Sequence, residues 1–118
     1  SRAHDLHYTE ALVYLSMAQL ELEKKNYPKA VQYGKIAIHI STHMDLLDIE
    51  KDAIGILELG FDRLGKKDSA YFYKLRRLEN EAEARAKENE LSLKRLSISH
   101  DLELKEREIH YQSQLIKQ

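Results

Sequence analysis

The segment from Lys66 to Gln118 contains neither glycine nor proline. Alanine, glutamate, lysine, arginine and leucine dominate it, and all five are strong helix formers. The sequence therefore predicts one continuous helix from Asp68 to about Ile116, roughly 70 Å long at 1.5 Å per residue. We expect Asp68 or Ser69 to cap its start. Because the rest of the chain can form only a smaller globule, most of this helix should project from it or pack against a partner.

Charge is distributed unevenly along the chain. Residues 1–73 carry 9 basic and 11 acidic residues, and residues 74–118 carry 10 and 9, so the net charges of -2 and +1 sum to -1. Dense charge of both signs is typical of a solvated helix or a coiled coil, with disorder as the alternative. We therefore divide the chain into a helical repeat region, 1–73, and a long charged connector, 74–118. Acidic residues lie close to every basic pair, so this segment is not expected to bind nucleic acid.

The sequence contains no cysteine, which excludes disulfides, thiolate metal sites and cysteine nucleophiles. No stretch approaches the ~20 apolar residues of a membrane span, and no secretory signal opens the chain. The helical pattern starts and ends without boundary signals, so we expect the segment to belong to a longer protein.

Apolar residues at three- and four-residue steps predict two helices in the first part of the chain. The first runs from about Asp5 to Lys25. Pro28 suits the first position of the second helix, because its missing N–H would be unpaired there anyway. The second helix extends to about Ile40. Four helices and no strands are expected in all, which makes the fold class all-α.

Ser41 and Thr42 predict the next break. Thr42 and Asp45 have the spacing of a capping box. The third helix spans roughly Met44 to Leu64 and is apolar on more than one face, so it should lie between neighbours. Gly65 is expected to end it.

The segment from Tyr14 to Thr42 resembles a tetratricopeptide repeat. The positions that carry the resemblance are large aromatic, medium apolar or small residues: Tyr14, Met17, Ala18, Tyr27, Ala30 and Ala37. Gly34 stands where the family usually has an aromatic residue, and Thr42 where it often has proline. The resemblance implies antiparallel helix pairs that approach closely at their small residues.

A second, weaker copy of the repeat follows the first. Its matching residues are Ile54, Leu57, Phe61, Gly65 and Ala70. Glu58 and Arg77 depart from the small residues expected at their positions. Ala30 and Ala70 are 40 residues apart, whereas repeats of this family usually span 34, so we expect a longer second or third helix.

Repeats followed by a charged helix resemble the region before the transmembrane helix of certain bacterial sensors. In those proteins the repeats lie outside the inner membrane, and a histidine-kinase module or a DNA-binding domain follows. The resemblance covers about Tyr8 to Gln118. It implies a periplasmic location, while a cytoplasmic repeat scaffold with no membrane link is the alternative. A membrane would be involved only through flanking sequence.

The resemblance also implies where a partner protein or peptide would bind. In this family the groove is lined by the first helix of each pair. Carried over by position, the groove candidates are Gln19, Glu23, Asp62 and Arg63. Since at least three units are normally needed for a stable stack, we expect further repeats or a partner chain to complete the groove.

The long helix carries two apolar stripes. The first, a partial heptad seam, comprises Leu91, Ile98, Leu102, Ile109 and Ile116. Arg95, Lys105 and Gln112 interrupt its alternate positions, which weakens a simple two-stranded coil. The second stripe comprises Leu93, Leu104, Tyr111 and Leu115, and its spacing of 11 favours straighter or right-handed coiling. We predict homodimerisation through this helix. A bundle of more than two helices, or a helix folded across its own globule, is the alternative.

No catalytic, cofactor or metal site is predicted. The carboxylates follow helical charge patterns, and no phosphate loop or hydrolase motif occurs. The histidine pairs His4–His7 and His39–His43 have ligand spacing. However, the first lies at a terminus, and the second straddles the break expected at residues 41–42. The function favoured by the sequence is therefore a non-enzymatic input segment of a regulator.

Overall fold

The computed structural model describes residues 2–117, all of which are helical or in tight turns except Asn26, Leu46 and Lys66. The helices are α1 (Arg2–Glu23), α2 (Tyr27–His43), α3 (Leu47–Arg63) and α4 (Lys67–Lys117). No strand occurs among the described residues. The prediction of an all-α fold with four helices and a very long C-terminal helix is therefore confirmed.

The chain divides into two compact units. Unit 1 comprises Ser1–Glu81 and contains α1 to α3 with the first part of α4. Unit 2 comprises Ala82–Gln118 and contains the remainder of α4. Unit 1 extends further along the chain than the repeat region, 1–73, that was predicted from the charge distribution. The reason is that residues 74–81 include side chains that bind α3. The outer ends of the two regions, residues 1 and 118, lie outside the described range.

Three turns of the same construction connect the four helices. The second residue of each turn has a left-handed backbone, and these residues are Lys25 (φ 61°), Asp45 (φ 54°) and Gly65 (φ 75°). The residue after each donates its N–H to the carbonyl oxygen five positions back, at 2.8, 2.8 and 2.9 Å, as in a Schellman motif. The turns recur every 20 residues, because α2 and α3 both have 17 residues. Two such helix-turn units account for the 40 residues between Ala30 and Ala70.

The helix break expected at Ser41 and Thr42 is wrong. Helix α2 continues through both residues to His43. Ser41 is buried, and its hydroxyl donates to the carbonyl of Ile38 at 3.2 Å, so this polar side chain is satisfied inside the helix.

The two cap assignments are also wrong. Leu46, not Thr42, precedes α3, and no side chain caps that helix. Helix α4 already begins at Lys67, with the Ala70 N–H bonded to the Lys66 carbonyl at 3.0 Å, so Asp68 lies inside its first turn. In both places the backbone turn sets the start of the helix. The expectation that Gly65 ends α3 is confirmed, since its left-handed φ lies just beyond the helix.

The core of unit 1 lies between α1, α2 and α3. Its largest fully buried apolar side chains, Ile49, Ile54 and Leu57, all belong to α3, the helix that was expected to lie between neighbours. Alanines with no exposed surface face them from α1 and α2. Gly60 lies so close to α2 that a Cβ there would be 2.7 Å from Val31 Cγ2, and a Cβ on Gly34 would be 3.1 Å from Leu57 Cδ2.

The same close contacts fix the directions of the helices. From position 31 to position 34 of α2, the neighbouring residue of α3 changes from Gly60 to Leu57, so α2 and α3 run antiparallel. A three-residue turn also reverses the chain between α1 and α2. Helices α1 and α3 therefore run parallel, and α1 contacts both α2 and α3.

Candidate functional site

A groove of about 820 Å³ lies between α3 and the first part of α4 in unit 1. Both charged and apolar side chains line it. The residues are Glu58, Leu59, Asp62, Lys67, Asp68, Ala70, Tyr71, Lys74 and Arg77. The groove is open to solvent. Its α3 wall carries acidic side chains, and its α4 wall carries mainly basic ones. Such a surface suits contact with a polypeptide better than enclosure of a small ligand.

A bidentate ion pair joins the two walls of the groove. Arg77 of α4 donates from Nε to Glu58 Oε2 at 2.7 Å and from Nη2 to Glu58 Oε1 at 3.0 Å. Its third nitrogen donates to Glu81 at 3.2 Å. These bonds raise the pKa of the Arg77 guanidinium above its ordinary value, with the Glu58 bonds contributing most. Glu58 and Arg77, the two departures from the small residues of the repeat, therefore join α3 to α4.

Arg76 also anchors α4 to α3. Arg76 donates to Glu50 Oε1 at 2.9 Å, and its guanidinium carbon lies 5.9 Å from the centre of the Phe72 ring and 5.8 Å from that of Tyr73. The Tyr73 ring stacks on Phe61 of α3, with ring centres 5.8 Å apart. Packing and charge thus hold the first three turns of α4 against α3.

Asp62 pairs with Lys67 across the α3–α4 turn. The Lys67 Nζ lies 2.7 Å from Asp62 Oδ1. This bond and the charge of Lys67 hold the pKa of the Asp62 carboxyl below its ordinary value of 3.8, and Arg63 contributes a smaller part. Folding therefore favours the ionised carboxylate, so the pair stabilises the fold above that pKa and stops doing so in strong acid. Both side chains are well exposed, which keeps the contribution small.

The four groove candidates from the repeat resemblance lie at one end of the helical layer. Since α1 and α3 run parallel, Gln19 and Glu23 occupy the same end of unit 1 as Asp62 and Arg63. Asp62 lines the groove between α3 and α4, whereas Gln19, Glu23 and Arg63 are exposed and are not among the described residues that line it. Their role in partner binding stays a prediction.

Tyr8 connects the N-terminal ends of the parallel helices α1 and α3. Its hydroxyl donates to Asp48 Oδ2 at 3.0 Å, joining α1 to the first turn of α3. The hydrogen bond and the negative charge of Asp48 raise the pKa of the Tyr8 hydroxyl above its ordinary value. The tyrosine therefore remains a neutral donor at physiological pH.

Two exposed apolar stripes flank unit 1. The stripe on α1 comprises Leu6, Val13 and Leu20, seven residues apart, on the face opposite the buried Ala11 and Leu15. The other stripe comprises Tyr71, Leu75 and Leu78 of α4, at i, i+4 and i+7. Sequence reasoning missed both stripes, because it considered a single apolar face on the first helix and began the stripes of the long helix at Leu91. The seven-residue spacing on α1 was the available signal.

Every described residue of unit 2 is exposed. Ten large apolar side chains are among them, including all members of the seam Leu91, Ile98, Leu102, Ile109 and Ile116. At 100° per residue these five fall within an arc of about 40°. The second stripe, Leu93, Leu104, Tyr111 and Leu115, lies on the other side of the helix, and its residues are also exposed.

The histidines do not assemble a metal site. His39 and His43 both lie in α2, contrary to the expected break between them, with ring centres 4.3 Å apart. His43 Nδ1 lies 2.8 Å from the His39 carbonyl oxygen, a contact that occupies that ring nitrogen. His7 Nδ1 lies 3.8 Å from Glu10. No group of three or more histidine, aspartate or glutamate side chains among residues 2–117 is placed to hold a metal ion.

None of the helices in the described range is both long and apolar enough to span a membrane. Comparison with known proteins gives no relative: no protein-family model, no curated protein and no solved structure matches the chain.

Proposed function

We propose that this chain is a non-enzymatic protein-interaction and signal-input segment of a bacterial regulator, either a sensor kinase or a transcriptional regulator. Unit 1 binds a protein or peptide partner in the manner of tetratricopeptide repeats. The helix of unit 2 associates with a second copy of the chain and links it to an output module. The segment itself contacts no nucleic acid, because its basic residues are interspersed with acidic ones.

The observation that carries this proposal is the exposed apolar surface of unit 2. Ten large apolar side chains lie on a helix that has no buried residue. A helix of this composition gains little from its own chain, since most helical stability in proteins comes from packing of an apolar face. Contiguous exposed apolar surface on a folded protein marks an interaction site. A partner helix is the simplest cover for such a stripe.

Unit 1 supports the partner-binding part of the proposal. Its helices pair at small residues, as Ala18, Ala30 and Ala37 have no exposed surface, which agrees with the positions of the repeat resemblance. Its outer faces on α1 and α4 carry apolar stripes of the kind that a neighbouring repeat covers in a stack. The groove between α3 and α4 offers a polypeptide both ion pairs and apolar contacts.

A cytoplasmic repeat scaffold with no membrane link is the second candidate function. The same exposed stripes favour it, because a scaffold also joins partner chains. The sequence that adjoins Gln118 in the full-length gene distinguishes the two: an apolar span of ~20 residues supports the sensor, and a continued polar helix supports the scaffold.

Self-association is tested with a matched pair of substitutions in the full chain. Leu102 and Leu104 lie two residues apart on opposite sides of α4, and their side chains are 59% and 50% exposed. We expect a dimer mass for the wild type by multi-angle light scattering. Leu102→Asp should give a monomer, because it introduces a charge into the seam, and Leu104→Asp should leave the dimer intact. A wild-type chain that stays monomeric at high micromolar concentration, or equal loss in both variants, contradicts the proposal.

A further inference from the structure

The seam of unit 2 has its charged neighbours sorted by sign. In heptad terms Leu91 and Ile98 occupy d positions, while Leu102, Ile109 and Ile116 occupy a positions. The charged residues at the flanking e and g positions are basic in the first half and acidic in the second. They are Arg85, Lys87 and Lys94, followed by Asp101, Glu106 and Glu108. All six are exposed.

We propose that a second copy of this chain packs antiparallel on the seam, with Leu91 opposite the partner's Leu102. This inference rests on the proposed self-association and gives it a direction and a register. A twofold axis between residues 96 and 97 relates the two helices, so each contact occurs twice. The helices overlap at least from Ala84, which faces the partner's Ile109, over a length of roughly 39 Å at 1.5 Å per residue.

Every charged flank residue finds an opposite charge in this register. Flank residues in antiparallel coils meet g to g and e to e. Lys94 therefore faces the partner's Asp101, Lys87 faces the partner's Glu108, and Arg85 faces the partner's Glu106. Within the seam itself, Glu88 lies opposite the partner's Lys105. The six flanking pairs and two seam pairs give both affinity and register.

A parallel pair puts like charges together. Arg95 and Lys105 would each face their own copy across the seam, which places like charges directly opposite each other. Asp101 at a g position would face the partner's Glu106 at the following e position, and the other charged flanks would meet uncharged residues. The parallel arrangement therefore has repulsion where the antiparallel one has attraction.

Charge also disfavours the antiparallel registers in which the partner is shifted by one or by two heptads toward its C-terminus. Placing Leu91 opposite the partner's Ile109 brings Arg95 against the partner's Lys105 and Asp101 against itself. A further shift, with Leu91 opposite the partner's Ile116, brings Asp101 against the partner's Glu108. Like charges directly opposed across a helix pair are unfavourable in both cases.

The ion pair within unit 2 competes only weakly with the proposed contact between Lys94 and the partner's Asp101. Lys94 Nζ lies 3.6 Å from Glu90 Oε1, four residues back on the same exposed helix face. Pairs of this kind contribute little in water, so the Lys94 ammonium is available to the partner's Asp101. Arg95, next to the twofold axis, faces the partner's Ile98 and can lay its methylene groups on that side chain while its guanidinium reaches water.

Engineered cysteines test the direction and register, since the chain has no cysteine of its own. Leu91→Cys and Leu102→Cys are made as separate full-length chains, mixed and oxidised. We expect a disulfide-linked dimer in the mixture and none from either variant alone. In the proposed register the two copies of either position are offset by 11 residues, roughly 16 Å along the axis, which a disulfide cannot bridge. Leu93→Cys mixed with Leu104→Cys, on the other stripe, is the matched control and should stay unlinked.

Each outcome of the cysteine experiment has a distinct meaning when it is read with the mass of the unmodified chain. Self-linked Leu91→Cys in a chain of dimer mass overturns the antiparallel direction but leaves self-association standing. Linkage of Leu91→Cys to an Ile109→Cys chain, and not to Leu102→Cys, overturns the register. A monomer mass for the wild type overturns self-association itself.

Charge reversal gives an independent readout. Asp101→Lys places a second ammonium opposite the partner's Lys94. The dimer has two such pairs, so losing both should raise its dissociation constant about tenfold. Adding Lys94→Glu should restore the affinity. In a parallel dimer the same Asp101→Lys would face the partner's Glu106 and tighten the dimer. Glu103→Lys, with the same change in net charge away from the seam, is the control and should have no effect.

Discussion

At the scale of single residues, two glycines of α3 differ in what surrounds them. A Cβ on Gly60 would lie 2.7 Å from Val31 Cγ2, whereas a Cβ on Gly55 would meet nothing within 4 Å. Val31 is β-branched and cannot turn away without leaving its preferred rotamer. The two helices therefore approach at Gly60 as closely as the absence of a side chain allows.

Gly60→Ala should lower the free energy of unfolding by about 1 kcal/mol, because overpacking outweighs the gain in helix propensity. Gly55→Ala should raise it by about 0.5–1 kcal/mol, since it lowers the entropy of the unfolded chain without a clash. Urea denaturation followed by circular dichroism measures both.

A double-mutant cycle with Val31→Ala identifies the clash. If the methyl group of Val31 is the obstacle, Gly60→Ala should become much less destabilising in the Val31→Ala background. If Gly60→Ala destabilises the wild type and the Val31→Ala variant equally, the contact with Val31 is not the reason that position 60 requires glycine.

Gly34 shows which residue contacts can be predicted from the sequence and which cannot. The repeat resemblance marks it as a departure, because an aromatic residue is usual at that position. In the fold it is buried, and a Cβ would lie 3.1 Å from Leu57 Cδ2. The repeat resemblance marks the alanines Ala18, Ala30 and Ala37 as small residues at helix crossings. A contact between positions 34 and 57 depends on the crossing of two helices, and no local pattern reports it.

At the scale of helices, the junction of α3 and α4 depends on geometry as much as on charge. Arg77 binds both oxygens of Glu58 with two nitrogens, a match that a planar guanidinium can make and an ammonium cannot. Arg77→Lys should therefore lower Tm although the charge is retained, and Arg77→Ala should lower it further. Thermal unfolding followed by circular dichroism reports both values.

Arg63→Lys provides the control for the Arg77 variants. Arg63 is exposed, and its Nη1 lies 4.0 Å from Asp62. Replacing its guanidinium by an ammonium should therefore leave Tm unchanged. An Arg77→Lys protein that melts together with the wild type would mean that charge alone joins the two helices.

The starts and ends of the helices were only partly predictable. The glycine at position 65 identified one turn, and Pro28 identified the start of α2. The turn at Asp45 has no glycine, and Ser41 and Thr42, which favour breaks in isolation, lie within α2. The 20-residue recurrence of left-handed residues at 25, 45 and 65 involves a lysine, an aspartate and a glycine, so residue type alone could not show it.

At the scale of the whole molecule, the two units differ in what stabilises them. Unit 1 has a buried core within one chain, and unit 2 has no buried residue among those described. Amide hydrogen exchange should therefore give protection in α1 to α3 that is independent of protein concentration. If a second copy covers the seam as proposed, protection in residues 82–117 should fall on dilution.

Mass spectrometry of the exchanged chain at two concentrations, about 1 and 100 μM, makes this comparison within one sample series. Peptides from unit 1 serve as the internal control. Protection in residues 82–117 could persist unchanged at the lower concentration. Then either the helix is stable without a partner, or the dimer is too tight to dissociate in this range. The light-scattering mass at the same concentration separates those cases.

The candidate surfaces were predictable to different degrees. The seam of unit 2 follows from heptad spacing alone, because a lone helix has no tertiary contacts to override it. The groove between α3 and α4 could not be deduced, since its walls come from residues 58–62 and 67–77 brought together by the Glu58–Arg77 pair. Of the candidates carried over from the repeat family, Asp62 alone lines it among the described residues.

The regular turns of unit 1 also bear on how it folds. Each helix of the core meets only helices that lie one or two 20-residue steps away along the chain. Closing such short loops costs little conformational entropy, and folds built from near neighbours in sequence reach the native state quickly. Any adjacent pair of these helices can serve as the nucleus onto which the next one adds. Unit 1 should therefore assemble on the microsecond-to-millisecond scale, without waiting for a distant part of the chain.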